Sequence, residues 1–513
     1  MHDHRPSAPP ADSRLASQKE WPVLAALAAI ALLRAVVAAT MPLSVDEAYY
    51  WQWTRPLQLS YYDHPAMVAY WIWGGLRLLG ENPLGLRLFA VLGACAVTAL
   101  VWDTTRLAFG SRRAANQAAL WLNCTILFDS AGVLITPDAP LLLFWSLCLW
   151  ALVRLIIEGK ARYLFVAGAA LGLGAVSKYT MALLVPGILC TFLLFPALRA
   201  WWRRPGPYLA ALLGLLCMTP LLLWNLANHG ASFTKQLNHA FAGTVGDALA
   251  SLLGWLASQV GLLTPLIFAF SLWGMGWTLV AGWRRRRPEW FLLGATSLPV
   301  VAFFLSHSLQ GAVQAHWAGP AYLGGVMAAA GAWLDHDGKR RWAWACTAAP
   351  WVGLVMVLTV FLQASTAILP IPLKIDALKR LGGWPELARQ VQEERLAHPG
   401  AFLMTQKHEP TGITSFYLPD HAPVFLQGRI RPSYYTAAEV AALKGHDAIF
   451  ISRAREDGAA GIRDKFARVT FLRQIVLSWG GSPADAYNLY LAEDYRGGAL
   501  VMGDGLNGAL DLP

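Results

Sequence analysis

The sequence predicts a mainly α-helical, polytopic membrane protein of about 11 transmembrane helices with a small α/β domain at its C-terminal end. Three observations carry that fold class. Apolar residues make up 56% of the 513 residues and charged residues 14%, against roughly 45–50% and about 25% in an ordinary globular chain. Apolar runs near the ~20 residues that cross a bilayer recur from residue 21 to residue 363. Beyond residue 363 the chain becomes more charged and carries helix-like and strand-like patches. The 24 Trp and 30 Pro fit aromatic belts and interrupted membrane helices. Together these exclude a disordered chain, a disulfide-stapled secreted module and a typical cytosolic enzyme. The six Cys lie in apolar stretches without C-x-x-C or metal-ligand spacing and read as small buried hydrophobes.

The expected spans fall near 21–41, 86–105, 114–131, 139–157, 163–177, 181–198, 207–224, 251–282, 289–305, 318–334 and 342–363. The 251–282 stretch is long enough to tilt or to begin with an interfacial helix. The run at 66–79 is too short to span and carries Arg77, so it reads as a helix along the surface. No signal-peptide cleavage site is evident, and 21–41 reads as a retained anchor behind a polar cytoplasmic segment, 1–20. One set of alternate loops holds sixteen basic residues, from Arg106, Arg112 and Arg113 to Lys339, Arg340 and Arg341. The other set holds five: Arg55, Arg77, Arg87, Lys178 and Lys235. The positive-inside rule makes the first set cytoplasmic. Its charges, and the net +10, then read as topology signals rather than a nucleic-acid surface. Residues 21–363 form the membrane domain, and 364–513 an α/β domain in the periplasm, helical near 376–397 and strand-like near 447–452 and 468–478. The absence of a visible internal repeat disfavours an inverted-repeat transporter.

That orientation collects carboxylates, imidazoles, amides and a lone lysine on one side of the membrane. The first outer loop contains Asp46-Glu47-Ala48-Tyr49-Tyr50-Trp51 and Tyr62-Asp63-His64-Pro65; the second contains Asp129 and Thr136-Pro137-Asp138. Lys178 ends an apolar span, His229 lies in the fourth outer loop and His316 in the fifth. Each has a bland reading. Asp46-Glu47 could be a helix-dipole pair capped by Ser44, Asp138 a first-turn acid, Lys178 a snorkelling side chain and the aromatics an interfacial belt. The histidines lack H-x-x-x-H spacing, so a preformed zinc site is not indicated. The functional reading is a site that takes a sugar from a polyprenyl phosphate. Such a transfer needs a carboxylate to accept the proton of the attacking hydroxyl, a cation for the departing lipid phosphate and a groove for the lipid tail. No Walker or Rossmann glycine fingerprint is present to bind a nucleotide sugar.

The ordered set Asp46-Glu47-Ala48-Tyr49-Tyr50-Trp51, Tyr62-Asp63-His64-Pro65, Thr136-Pro137-Asp138-Ala139-Pro140, Ser177-Lys178-Tyr179 and Ala315-His316-Trp317 resembles the glycosyltransferase family 39-like membrane enzymes of the GT-C fold. Among these are the protein O-mannosyltransferases and the aminoarabinose and galacturonosyl transferases of lipid A. The resemblance runs from about residue 20 to 363. It implies Asp46 as principal catalytic carboxylate, Asp138 as second acid and Lys178 as holder of the donor phosphate. Glu47, Tyr62, His64, His229 and His316 would line the cavity. The sequence lacks the inserted β-trefoil of the protein mannosyltransferases, which disfavours a protein acceptor. It is also shorter than expected of an aminoarabinose transferase, which leaves the sugar open.

The expected function is therefore inverting transfer from a polyprenyl-phosphate-linked sugar to lipid A, another envelope glycan or, less favoured, a protein, in the bacterial inner membrane. No metal ligands are assigned, although a divalent metal shared by Asp46 and Asp138 is left open. The competing reading is a flippase or transporter of lipid-linked sugars. It requires polar residues along a path to both faces, whereas the mid-span segments are nearly free of charge, Arg34 being an exception.

Overall fold

The computed structural model describes residues 21–241, 248–311, 313–336, 342–427, 435, 437–455 and 458–497. The N-terminal segment 1–20 and the basic run at 339–341 lie outside them. Helix α1 (Trp21–Thr40) precedes a short helix α2 (Val45–Gln52), α3 (Met67–Leu79) and the long α4 (Pro83–Phe109). The chain continues through α5 (Arg112–Leu122), α6 (Ile126–Ala131), α7 (Asp138–Glu158) and α8 (Arg162–Ala175). Then come α9 (Leu184–Leu194), α10 (Pro196–Arg199), α11 (Gly206–Cys217), α12 (Thr219–Ala227), α13 (Ala231–Phe241) and α14 (Ala248–Leu263). Helices α15 (Pro265–Arg284), α16 (Pro288–Ser308), α17 (Gly319–Asp335) and α18 (Ala343–Thr366) complete the apolar part.

Local chemistry sets many of these boundaries. Asn82 caps α4 through a bond from the Gly85 N–H, and Gly110 ends it in the left-handed region at φ 64°. Ser111 and Thr125 cap α5 and α6 in the same manner. Thr264 and Pro265 break the apolar run 251–282 into α14 and α15. Six helices among the described residues (α1, α4, α7, α15, α16 and α18) are long and apolar enough to cross a membrane. Two bent pairs would raise that to eight: 179–194 with 196–203, bent by 102°, and α11 with α12, bent by 53°. Pro196 and Pro220 stand at those bends, where the missing N–H and the ring disrupt the helical ladder. The chain is a multi-pass membrane protein.

Helix α17 is buried from Gly319 to Trp333. A helix apolar on all sides belongs at the centre of a bundle, and α15, α16 and α5 pack around it. The expected surface helix at 66–79 forms as α3, with Met67, Val68, Ala69, Ile72 and Gly75 on its buried face.

After α18 the chain builds α19 (Trp384–Ala397), β1 (Phe402–Thr405), α20 (His408–Tyr417), β2 (Val424–Leu426), α21 (Ala437–Ala442), β3 (Ala448–Arg453), β4 (Phe466–Trp479) and β5 (Ser482–Tyr495). The sheet order is β2-β1-β3-β5-β4. β1 runs parallel to both β2 and β3, and β5 is antiparallel to β3 and β4. Gly480 and Gly481, at φ 56° and 75°, make the two-residue turn between β4 and β5. One face of the sheet, with Leu403, Ile449, Ile451 and Leu489, shares a single hydrophobic core with Leu43, Tyr49, Trp51, Ile72 and Leu86 of the α1–α4 region. The other face, with Phe402, Met404 and Phe450, packs under Val440 of α21 and under Ile462 and Phe466.

Candidate active site

The site is organised by α2 and the loops beside it. Ser44 accepts a bond from the Glu47 N–H at 3.2 Å, and the Glu47 carboxylate accepts one from the Ser44 N–H at 3.0 Å. This capping box starts α2 and fixes its first turn. Glu47 also receives Arg87 Nε and Nη2 at 2.7 Å each and the Ile135 N–H at 3.1 Å. Arg87 spends its remaining donors on the carbonyls of Ala38, Met41 and Pro42. Both side chains are 0% exposed. Glu47, expected to line the cavity, is therefore a structural residue: its acceptors are consumed in a buried ion pair that ties α2 to α4. Arg87 is likewise an interior residue rather than a loop charge. A second buried pair, Arg34–Asp129 at 2.7 Å, joins α1 to α6 and accounts for the arginine in the first apolar run.

Asp46, one residue before Glu47, is exposed. It makes no hydrogen bond or ion pair among the described residues. Asp138 opens α7, where the helix dipole favours a carboxylate. Both of its oxygens accept from Lys178 Nζ, at 2.8 and 2.9 Å, and the two side chains are only about a tenth exposed. Lys178 lies in extended backbone between α8 and a 3-10 turn at Tyr179–Leu183. His316 Nε2 stands 3.5 Å from Asp138 Oδ2. His64 is within electrostatic reach of Asp138, and Asp46 within reach of His316. The 3-10 turn bearing His316 is held by Gln259, which donates to the Ala315 carbonyl at 2.8 Å and accepts from Tyr322 at 3.1 Å. Desolvation pulls the His316 imidazole below its usual range, Asp138 opposes this and Lys178 adds to it.

Beside this cluster Asp63 accepts a hydrogen bond from Tyr49 and forms an ion pair with Lys235. Gln236 donates to the Asp63 carbonyl at 3.0 Å, and Lys235 Nζ lies 4.6 Å from the Tyr62 ring centroid. These contacts bind the first loop to α13. His64 packs edge-on against Tyr50 at 6.1 Å.

The structure thus brings Asp138, Lys178, His316, His64 and Asp46 to one place, with Tyr62 beside Lys235. It does not bring His229, which sits in an exposed turn after α12 at φ 52° and touches none of them. Sequence reading assigned no role to Asp63, Lys235 or Arg87, although an arginine within an apolar run already implies a buried partner. No group of three or more His, Cys, Asp or Glu suited to a metal occurs among the described residues.

Residues 63–224 match the family described as dolichyl-phosphate-mannose-protein mannosyltransferase. A curated relative, a lipid A galacturonosyltransferase of Rhizobium johnstonii, is 28% identical over 291 residues, which is 56% of this chain and 60% of the relative. The chain thus matches less than two thirds of that relative's length. The fold resembles ArnT of Cupriavidus metallidurans in its apo state (TM-score 0.64, 15% identity) and bound to undecaprenyl phosphate (TM-score 0.62, 16% identity). Each comparison covers 92% of this chain and 98% of the other. The chain is thus similar in part of its sequence to lipid-linked-sugar glycosyltransferases, and its fold resembles that of ArnT.

Proposed function

We propose that the protein transfers a sugar from a polyprenyl-phosphate donor to lipid A or another envelope glycan, with inversion, on the periplasmic face of the bacterial inner membrane. The observation that carries this reading is the Lys178–Asp138–His316 cluster beside the exposed Asp46. The distribution of basic residues supports eleven spans with a cytoplasmic N-terminus and a periplasmic tail. The names of the curated relative and of the undecaprenyl-phosphate complex fit such a donor and acceptor.

Asp46 carries no internal partner and is open to solvent, as suits a group that must meet an incoming acceptor. It takes the proton of the acceptor hydroxyl as the oxygen attacks the anomeric carbon. The bond from that carbon to the lipid phosphate breaks, and polyprenyl phosphate leaves with the electron pair. Lys178 neutralises that phosphate, and Asp138 positions the lysine until the donor arrives. His316, 3.5 Å from Asp138, hydrogen-bonds the donor or acceptor through its ring nitrogens, while His64 and Tyr62 line the approach. If the acceptor is an ionised phosphate rather than a hydroxyl, Asp46 acts electrostatically.

Mass spectrometry of lipid A and whole-envelope glycans tests this in cells with the protein, without it, and with Asp46→Asn. A defined sugar mass lost from both the deletion and the variant is expected. Unchanged glycans in both, with protein and donor present, would overturn the reading in favour of a transporter.

A further inference from the structure

Helix α4 runs for 27 residues, about 40 Å, from the Arg87 end that holds α2 to the start of α5. That exceeds the ~30 Å hydrocarbon core of a bilayer, so the start of α5 faces the leaflet remote from Asp46. A cavity of about 450 Å³ opens there, between α1, α5, α17 and α18. Its volume lies within the roughly 300–1,000 Å³ of ligand sites. Helix α17 reaches it through Trp333, near the helix end farther from His316, and α18 begins beside it before running to the tail. Exposed Trp21, Trp342 and Trp344 stand at this end of α1 and α18, as aromatic residues do at a membrane interface.

The cavity changes polarity with depth. On α5 Arg113, Asn116, Gln117 and Leu120 line it, at the spacing of one helix face. Arg113 is exposed and makes no hydrogen bond or ion pair among the described residues, and it lies within electrostatic reach of Cys346 on α18. Asn116 accepts from Trp102 at 2.7 Å through its carbonyl oxygen, which leaves its amide donors. Gln117 donates to Cys346 and keeps its own carbonyl oxygen. Deeper along α5 and α18 the walls are apolar, with Leu120, Trp121, Pro350 and Trp351. From Arg113 to Leu120 the descent is about 10 Å, passing from charge through amides to hydrocarbon. No carboxylate lines the cavity. Helix α18 is buried along the ridge Ala345, Ala349, Gly353 and Val357, which leaves Thr347 and Trp351, both exposed, as the outer wall.

We propose that this cavity binds one anionic phospholipid of the leaflet remote from Asp46. Its phosphate sits on Arg113, its glycerol and ester region lies against Asn116 and Gln117, and its upper acyl chains pass between Leu120, Trp333 and Trp351. A guanidinium presents paired N–H donors that match phosphate, and basic pockets between membrane helices take anionic headgroups. A zwitterionic lipid would bring a second cation to the same place, which the absence of a lining carboxylate disfavours. The lipid fills the wedge between α5 and α18 and braces the helix that leads into the tail. The inference draws nothing from the proposed transfer.

The test mixes the full chain, purified in detergent and stripped of lipid, with phosphatidylglycerol or phosphatidylcholine and counts bound lipid by native mass spectrometry. One phosphatidylglycerol is expected to bind about tenfold more tightly than phosphatidylcholine. Arg113→Gln alters an exposed side chain without an internal partner, so the fold should hold while phosphatidylglycerol affinity falls about tenfold. Arg203→Gln removes an equal charge from an exposed position outside the cavity and should leave that affinity unchanged. Phosphatidylglycerol with a photoreactive group in its upper acyl chain, in nanodiscs, supplies a second reading, with labelling expected over 117–121 and 346–351. Equal binding of the two lipids, equal affinities in Arg113→Gln and Arg203→Gln, or labelling confined to other helices would each overturn the inference. A loose annulus of lipid drawn only by surface charge gives the second of these results.

Discussion

Two adjacent acids divide the work at the start of α2, and their environments decide which does what. Glu47 is surrounded by donors and has no exposure; Asp46 has exposure and no donors. Asp46→Asn is expected to lower sugar transfer by about 10²–10⁴-fold with no change in the unfolding temperature, measured by transfer assay and thermal melt on one preparation. Glu47→Gln is expected to do the reverse in kind. It leaves the Arg87 charge buried without its counter-ion, at a cost of about 3–5 kcal/mol, so the protein should melt early or fail to accumulate. A full-strength melt with lost activity would return Glu47 to the cavity. Sequence could find the acidic pair but could not rank its members, because the ranking comes from Arg87, 40 residues away, and from the Ile135 N–H, 88 residues away. The same holds for Asp63, whose partners Tyr49 and Lys235 come from separate elements.

Among the elements, the apolar helices were the most legible, since length and hydropathy are local properties. The strands β3 and β4 and helix α19 also emerged close to the stretches expected, and the Gly480-Gly481 turn announces its hairpin. Less legible were the breaks within apolar runs, where Thr264-Pro265 and the prolines near 196 and 220 divide what hydropathy reads as continuous. Helix α13 hangs on its contacts with the first loop through Asp63, Lys235 and Gln236. Asp63→Asn should loosen that attachment, and faster amide exchange over 231–237 would register it. Unchanged exchange there would mean that other contacts carry the helix. Lys178→Gln, which removes the cation but leaves Asp138 in place, should weaken binding of polyprenyl phosphate by more than tenfold. Equal binding by the variant would remove Lys178 from the donor site.

At the scale of the whole molecule, the joint between α18 and the tail centres on Asp376, which accepts from Gln363 at 2.7 Å, Trp479 at 2.8 Å and the Leu378 N–H at 2.9 Å. Burial works against the Asp376 charge, but these donors outweigh it and hold the carboxyl below its usual range. A depressed carboxyl stabilises the fold above the ordinary carboxylate pKa, and the contribution disappears as pH falls through the folded value. Asp376→Asn should therefore cost about 1–3 kcal/mol near pH 7, with the gap narrowing as pH falls through the depressed pKa of the folded carboxyl. A gap independent of pH would show that the charge is immaterial. The shared core between the sheet and the α2 region was not legible in the sequence, because its halves are separated by most of the chain: the Leu43 N–H donates to Tyr417, 374 residues later, at 3.0 Å. That separation has a meaning in time. During synthesis α2 is among the first elements made, yet α20, which packs over it, belongs to the last, so the core they share stays open until the tail has been made. A chain cut short before α20 would leave the apolar face of α2 uncovered.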